Sequence, residues 1–267
     1  MRASRILREV RSGKVASCVK LNLIDSRVVE LCGLSGFSAV WMDNEHVPND
    51  WLNLEHMIRA ARLYDMDAIV RVAKGDYSDL IKPFEAGAQA IMVPHVESAA
   101  EAKKIVEMTR FHPSGKRPLD GGNVDGRFCQ IPLLDYLDLA NREQLVILQI
   151  ESMEAVQNVH EIAAVPGFDC LLFGPGDFSH RIGLAGEIHS EVVAEARRAV
   201  EIAAKENNKF CMAVGYREDP QAMFARGYGI ASLGADVVTL GDGFRRIVED
   251  FDNSPPTPAA QVLYGSR

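Results

Sequence analysis

The sequence predicts an α/β fold, a (β/α)8 TIM barrel built as a single domain over residues 1–252 and followed by a C-terminal tail at 253–267. Three observations predict it. Short apolar, β-branched runs alternate with stretches of helical spacing eight times along the chain. The length of 267 residues suits such a barrel, which commonly takes about 250. No G-x-G-x-x-G follows the first strand, which weakens the runner-up, an open doubly wound sheet.

The elements follow in order. Arg5–Arg11 has amphipathic spacing, with Ser4 as its cap and Gly13 as its stop. Val15–Leu21 reads as strand one and Asp25–Gly33 as the helix after it. Strand two is Ser38–Met42, ending in Asp43-Asn44-Glu45-His46, and Leu52–Tyr64 is helical. Ala68–Val72, which contains Arg71, is strand three, followed by a helix over Asp76–Ala86. Strand four is Ala90–Val93, ending at Pro94-His95, with a helix over Ser98–Arg110. His112–Phe128 is rich in Gly, Pro and charge and too long for a routine connection, as functional loops often are. After a short helix at Leu133–Asn141 comes strand five, Leu145–Ile150, ending on Glu151. A helix over Met153–Ala164 stops at Pro166-Gly167, and Asp169–Phe173 is strand six. It ends in Gly174-Pro175-Gly176-Asp177, read as a tight turn. His189–Asn207 is a long helix, Lys209–Val214 strand seven, Pro220–Gly227 a helix, Asp236–Leu240 strand eight and Phe244–Phe251 the last helix.

Composition narrows the class of function. A net charge of −8 argues against nucleic acid, which needs a basic face to replace counterions. No apolar run approaches the roughly 18–20 residues of a membrane span, and the basic N-terminus lacks the apolar core of a signal peptide. The five cysteines are scattered without a C-x-x-C pair, which reads as buried thiols in a reducing, cytoplasmic compartment.

In a barrel, polar groups at the carboxyl ends of strands converge on one mouth. Strand two brings Asp43, Glu45 and His46 there, strand three Arg71, strand five Gln149 and Glu151, and strand six Asp177. Glu151 and Asp177 suit a hard divalent cation, which prefers carboxylate and water oxygens and keeps positions open for substrate. Each residue also has a plainer use: Glu151 and Glu45 as helix caps, Asp177 closing a turn, His46 bonded to backbone, Arg71 neutralising a neighbouring acid. Arg71 and Gln149 sit within apolar strands, where an unpaired polar group is costly, so both need partners. His95 reads as structural, and Lys74 as a solvated loop residue; no other lysine stands out near a strand end.

The pieces WMDNEHVPND (Trp41–Asp50), the Arg71 strand, GAQAIMVPHV (Gly87–Val96), LQIES (Leu148–Ser152) and GPGDFS (Gly174–Ser179) run in an order and spacing that resembles the HpcH/HpaI aldolases, the metal-dependent class II pyruvate aldolases. The resemblance covers roughly residues 5–250 and implies a divalent cation, Mg2+, Mn2+ or Co2+, on Glu151 and Asp177. It implies Arg71 at the keto oxygen of a pyruvate unit, and His46, held by Asp43, in proton transfer. It implies Gln149 beside the metal and the backbone N–H groups of Gly176 and Asp177 as a carboxylate cradle. The activity implied is reversible cleavage of a 4-hydroxy-2-oxo acid, such as 4-hydroxy-2-oxoheptanedioate or a 2-keto-3-deoxy sugar acid, to pyruvate and an aldehyde. The assembly implied is a homo-oligomer, a dimer or trimer of dimers, that exchanges the last helix.

Two features depart from the family pattern: Asn44 stands where the family often has Gly, and the 112–128 loop, expected to shape the pocket, diverges. Other readings are a citryl- or malyl-CoA-type lyase, which would want a basic cluster near the mouth, and a catalytically silent barrel that binds an oxo acid. Oxaloacetate decarboxylation would use the same enolate chemistry as a side activity.

Overall fold

The computed structural model describes residues 2–215 and 218–253. The expected tail at 253–267 lies, apart from Asn253, outside the described residues. Eight parallel strands close into a barrel in sequence order. They are β1 (Ala16–Leu21), β2 (Ala39–Asp43), β3 (Asp67–Arg71), β4 (Ala90–Val93), β5 (Leu145–Ile150), β6 (Cys170–Phe173), β7 (Phe210–Val214) and β8 (Tyr228–Ala235). The helices, in chain order, are α1 (Arg5–Arg11), α2 (Ser26–Leu34), α3 (Trp51–Leu63), α4 (Tyr77–Glu85), α5 (Ala99–Thr109), α6 (Leu133–Glu143), α7 (Met153–Gln157), α8 (Val159–Ala163), α9 (Pro175–Arg181), α10 (Glu191–Glu206), α11 (Pro220–Ala225) and α12 (Asp236–Asn253). Among the described residues no helix is long and apolar enough to cross a membrane.

The period of two along each strand divides the core. One set of side chains (Cys18, Ala39, Trp41, Ile69, Ala90, Met92, Leu145, Ile147, Cys170, Leu172, Met212, Ile230) fills the barrel interior. The alternate set, including Val40, Val70, Ile91, Leu148 and Leu171, packs outward against the helices. The inward phase continues to the carboxyl ends as Lys20, Asp43, Arg71, Gln149, Glu151 and Gly174, so apolar layers below give way to a polar layer at the mouth. The amino end is plugged by α1, whose Ile6 and Leu7 join the interior cluster. Buried Asp67 at the foot of β3 fixes that plug by accepting from Ser4 Oγ at 2.5 Å, Arg5 N at 3.1 Å and Ile6 N at 2.9 Å.

Four expectations are corrected. Strand eight is Tyr228–Ala235, and the Asp236–Leu240 run opens α12 instead. Its β-branched Val-Val-Thr reads locally as strand, but Asp236 is tied by its carboxylate to the backbone N–H groups of Asn22, Leu23 and Val237 at 2.7–2.9 Å, where the helix starts. The true strand hid behind small residues. At Gly229 a Cβ would lie 2.6 Å from the Phe210 ring and 2.9 Å from Val10, so close packing of α1 and β7 excludes any side chain there. Gly174–Asp177 is not a free turn, because Pro175, with no N–H to lose, starts α9. The single helix expected over Met153–Ala164 divides at Asn158, whose side chain turns to the carbonyl of Glu97 at 2.9 Å.

The fourth correction concerns the 112–128 loop. It connects α5 to α6 and β5, and an αβ connection returns to the amino end of the barrel. Its ties agree: Arg117 donates to Gln144 Oε1 at 2.8 Å and Asp125 at 2.8 Å, and Val124 N to the Glu85 carbonyl at 3.1 Å. The loop therefore lies at the end opposite the mouth of its own barrel and shapes no part of it.

Candidate active site at the barrel mouth

Asp43 is the centre of the β2–β3 side. It stands opposite Arg71 in register, so the two inward side chains share a layer. Arg71 Nε donates to Asp43 Oδ1 at 3.0 Å, and its Nη2 donates to Oδ2. Lys20 Nζ, from the end of β1, is 3.0 Å from the same Oδ2. The backbone N–H groups of Glu45 and His46 donate to Oδ1 at 3.1 and 3.3 Å. Burial pushes the Asp43 carboxyl up, but Arg71 and Lys20 outweigh it and hold the acid at about 2, well below the usual carboxylate range. Asp43 is thus a clamp that is ionised at neutral pH. Its side chain grips the backbone of His46, whereas the expected hold on the imidazole is absent: the nearby acid for the ring is Glu45, with Oε2 at 3.6 Å from His46 Nε2.

Glu45 links the two halves of the mouth. Its Oε2 lies 3.1 Å from Arg71 Nε, and its Oε1 lies 3.3 Å from His95 Nε2. His95 in turn holds Glu151, with its backbone N–H at 2.8 Å and Nδ1 at 2.9 Å from Glu151 Oε1. It does so from a left-handed backbone, φ 54°, that turns the chain after β4 so that both groups meet one oxygen. The reading of His95 as merely structural is therefore corrected: it bridges Glu45 and Glu151. Lys74 is a loop residue as expected, half-exposed, and donates to the His95 carbonyl at 2.8 Å while pairing with Glu101 at 2.8 Å.

Glu151 is buried at the end of β5. Its Oε2 accepts from Gln149 Nε2 at 2.5 Å, which supplies Gln149 with one of its needed partners; Gln149 Oε1 remains buried without one. Burial raises the Glu151 carboxyl, His95 opposes that, and the charges of Asp177 and Glu45 add to the rise. Asp177 sits exposed in the first turn of α9, and Gly176 precedes it. At Gly174 a Cβ would lie 3.0 Å from Glu151 Oε2 and 3.2 Å from Gln149 Nε2, so the glycine leaves the room in which those two groups meet.

The mouth thus holds two linked groups. Lys20, Asp43, Glu45 and Arg71 gather at β1–β3, and Gln149, Glu151 and Asp177 at β5–β6, with His95 between. Lys20 and His95 were the residues that sequence reasoning passed over. The inward phase of Lys20 in an apolar strand, the same signal that singled out Arg71 and Gln149, could have found the first.

A divalent cation fits this donor set. Four carboxylates (Asp43, Glu45, Glu151, Asp177) meet two permanent cations (Lys20, Arg71), so the mouth is left short of positive charge. Asp43 and Glu45 are engaged by those cations; the shortfall falls on Glu151 and Asp177, whose mutual repulsion a cation relieves. Two oxygen donors with open positions is the manner in which Mg2+ is commonly held.

The comparisons with known proteins agree with this architecture. The family model described as HpcH/HpaI aldolase/citrate lyase matches residues 19–242. The hydroxypyruvate/pyruvate aldolase of Pseudomonas aeruginosa is 30% identical over 269 residues, with 98% of each chain covered. The 4-hydroxy-2-oxo-heptane-1,7-dioate aldolase of Shigella flexneri is 29% identical, with 92% of each covered. The crystal structure of an HpcH/HpaI aldolase/citrate lyase family protein from Burkholderia cenocepacia superposes with a TM-score of 0.83 at 28% identity, covering 94% of this chain and 100% of that one. With the family model spanning the barrel from β1 into α12, the chain belongs to the HpcH/HpaI aldolase/citrate lyase family and is a carbon–carbon lyase.

Proposed function

We propose that the protein is a divalent-metal-dependent aldolase that reversibly cleaves a 4-hydroxy-2-oxo acid to pyruvate and an aldehyde. The observation that carries the reading is the charge arrangement of the mouth, with Arg71 clamped by Asp43 on one side and the acid pair Glu151 and Asp177 on the other. Glu151 and Asp177 would hold Mg2+, Mn2+ or Co2+, which when bound supplies Lewis-acid polarisation of the 2-oxo group. Gln149 fixes Glu151 and keeps its own Oε1 for a donor from that site.

The chain's residues do the rest. Arg71 is almost fully buried and held by two hydrogen bonds to Asp43, so its guanidinium is preorganised to meet negative charge building on the keto oxygen as the bond between C3 and C4 breaks. His46 takes the proton of the 4-hydroxyl, directly or through a water; its side chain is exposed at the mouth, and Glu45 is the acid that orients it. The backbone N–H groups of Gly176 and Asp177 open α9 and lack intrahelical acceptors, which suits them to the substrate carboxylate. The CoA-thioester reading draws no support from the mouth, where Lys20 and Arg71 stand together on one acid and form no basic cluster of the size nucleotide phosphates need.

The last helix bears on assembly. Val237, Val238, Leu240, Phe244, Ile247, Val248 and Phe251 recur at helical spacing along α12 and are all exposed, while Asp236 is its one buried residue. We propose that this stripe packs on a second copy, as the expected exchange of the last helix requires, in a dimer or a trimer of dimers. Free thiols at all five cysteines are in keeping with a cytoplasmic setting.

The test is pyruvate release from a panel of 4-hydroxy-2-oxo acids with Mg2+, Mn2+ or Co2+, repeated with a chelator. Metal-dependent pyruvate from any member is the expected result, and its absence from all of them would refute the reading.

A further inference from the structure

Lys20 has no part in the function derived so far, yet its position is unusual. Cys18 and Lys20 face into the barrel, so the lysine stem rises through the interior wall and ends in the polar layer of the mouth. Placing an ammonium inside a barrel costs solvation, and a partner must compensate. Asp43 Oδ2 is the acceptor it has, at 3.0 Å. An ammonium carries three N–H donors, and this one is used once among the described residues. About a quarter of the side chain (24%) remains exposed, so it is not sealed within the protein.

Its surroundings hold it there. The Trp41 ring lies beneath both mouth cations, with its centroid 5.4 Å from Lys20 Nζ and 5.0 Å from Arg71 Cζ. The indole fixes the two cations along one floor. Asp43 is met besides by two donors of Arg71 and by two backbone N–H groups, so Lys20 is one of several groups on it. The other described cations nearby are occupied: Lys74 on Glu101, and Arg181 on Glu97.

Topology says which part of a substrate would reach Lys20. The acid pair stands on β5 and β6, Arg71 on β3, and Lys20 on β1, directly across the closed barrel from β5. A keto acid anchored at the β5–β6 side with its oxo group toward Arg71 extends its remaining carbons to the β1–β2 wall. We propose that Lys20 is a specificity-determining residue that recognises an anionic group on the aldehyde half, so that the preferred substrates are 4-hydroxy-2-oxo acids whose aldehyde product is itself acidic. This assignment rests on the aldolase reading.

The experiment compares two substrates that differ at that end: 4-hydroxy-2-oxoglutarate, whose aldehyde half carries a carboxylate, and 4-hydroxy-2-oxopentanoate, whose aldehyde half is neutral. The ratio of their kcat/KM values is measured for wild type, Lys20→Met and Lys20→Arg. Wild type is expected to favour the acidic substrate. Lys20→Met should lower the acidic-to-neutral ratio about 10- to 100-fold, the worth of one charge-assisted hydrogen bond, chiefly through KM. Lys20→Arg should restore part of it. A wild type without preference, or a Lys20→Met variant in which both substrates fall by the same factor, would overturn the assignment and leave the aldolase standing. No pyruvate from the acidic substrate with wild type would overturn the assignment, and the aldolase reading falls with it only if the whole 4-hydroxy-2-oxo acid panel also gives none.

Discussion

Replacing Asp43 by Asn tests the ionic clamp at the mouth. The substitution keeps shape and leaves an oxygen for the backbone N–H groups of Glu45 and His46, but removes the charge that Arg71 and Lys20 share. Breaking a buried ion pair from one side typically costs about 3–5 kcal/mol. The lower end applies, because Glu45 Oε2 stays 3.1 Å from Arg71 Nε and Lys20 is partly solvated. A loss of about 3 kcal/mol in a chain of this length lowers Tm by roughly 6–12 °C. The pH dependence gives a second check. Asp43 titrates at about 2 in the folded protein, below an ordinary carboxyl, and its side chain is fully buried, so solvent screening does not discount the shift. A depressed folded pKa contributes stability above the unfolded value, near 3.9, and that contribution is lost as pH falls through the folded value. The whole contribution is about 2.5 kcal/mol, and roughly 1 kcal/mol of it is gone by pH 3. Urea unfolding at fixed protein concentration, at pH 7 and pH 3, reads both numbers. The gap between wild type and variant should be about 3 kcal/mol at pH 7 and narrower by about 1 at pH 3. A variant within 1 kcal/mol of wild type, with the same gap at both pH values, would refute the clamp.

Three further outcomes are expected. Glu151→Gln should weaken Mn2+ binding at least about tenfold, read by calorimetry without substrate; unchanged affinity would take Glu151 out of the metal site. His46→Asn should lower kcat/KM by about 10²- to 10⁴-fold, with Glu45→Gln causing a smaller loss; an Asn variant within threefold of wild type would put the base elsewhere. Charging the α12 stripe by Phe244→Asp with Ile247→Asp should dissociate the assembly, seen as a fall in mass by light scattering; an unchanged mass would show that the stripe does not make the interface.

The strand-borne part of the site was legible because a strand has a fixed phase. Once Leu145 and Ile147 face the interior, Gln149 and Glu151 must follow, and the same count places Asp43 above Trp41 and Arg71 above Ile69. Strand eight was illegible for a related reason. Its glycines and small residues answer to contacts with Phe210 and Val10, which are distant in sequence, while Val-Val-Thr carries a local strand signal inside a helix whose start is fixed by Asp236. The 112–128 loop shows the limit from another side: its composition announced a special segment, and only the direction of the αβ connection shows that it sits at the far end of the barrel.

The loop-borne groups at the mouth follow no phase, and that is where the expected chemistry changed hands. An Asp three residues before a His suggests a carboxylate orienting an imidazole. Here Asp43 lies on the strand, in register with Arg71, and two cations claim it before the chain turns. What remains for His46 is the backbone contact, which sets where the loop goes, and Glu45 as the nearby acid, 3.6 Å from its Nε2. Glu45 also meets Arg71 and His95, and His95 meets Glu151. The β2 loop and the acid at the end of β5 are therefore joined through two side-chain contacts, Glu45 to His95 and His95 to Glu151. In an aldolase that coupling has a use: the proton leaving the 4-hydroxyl and the charge arriving on the keto oxygen belong to one event, and Glu45 touches the group assigned to each.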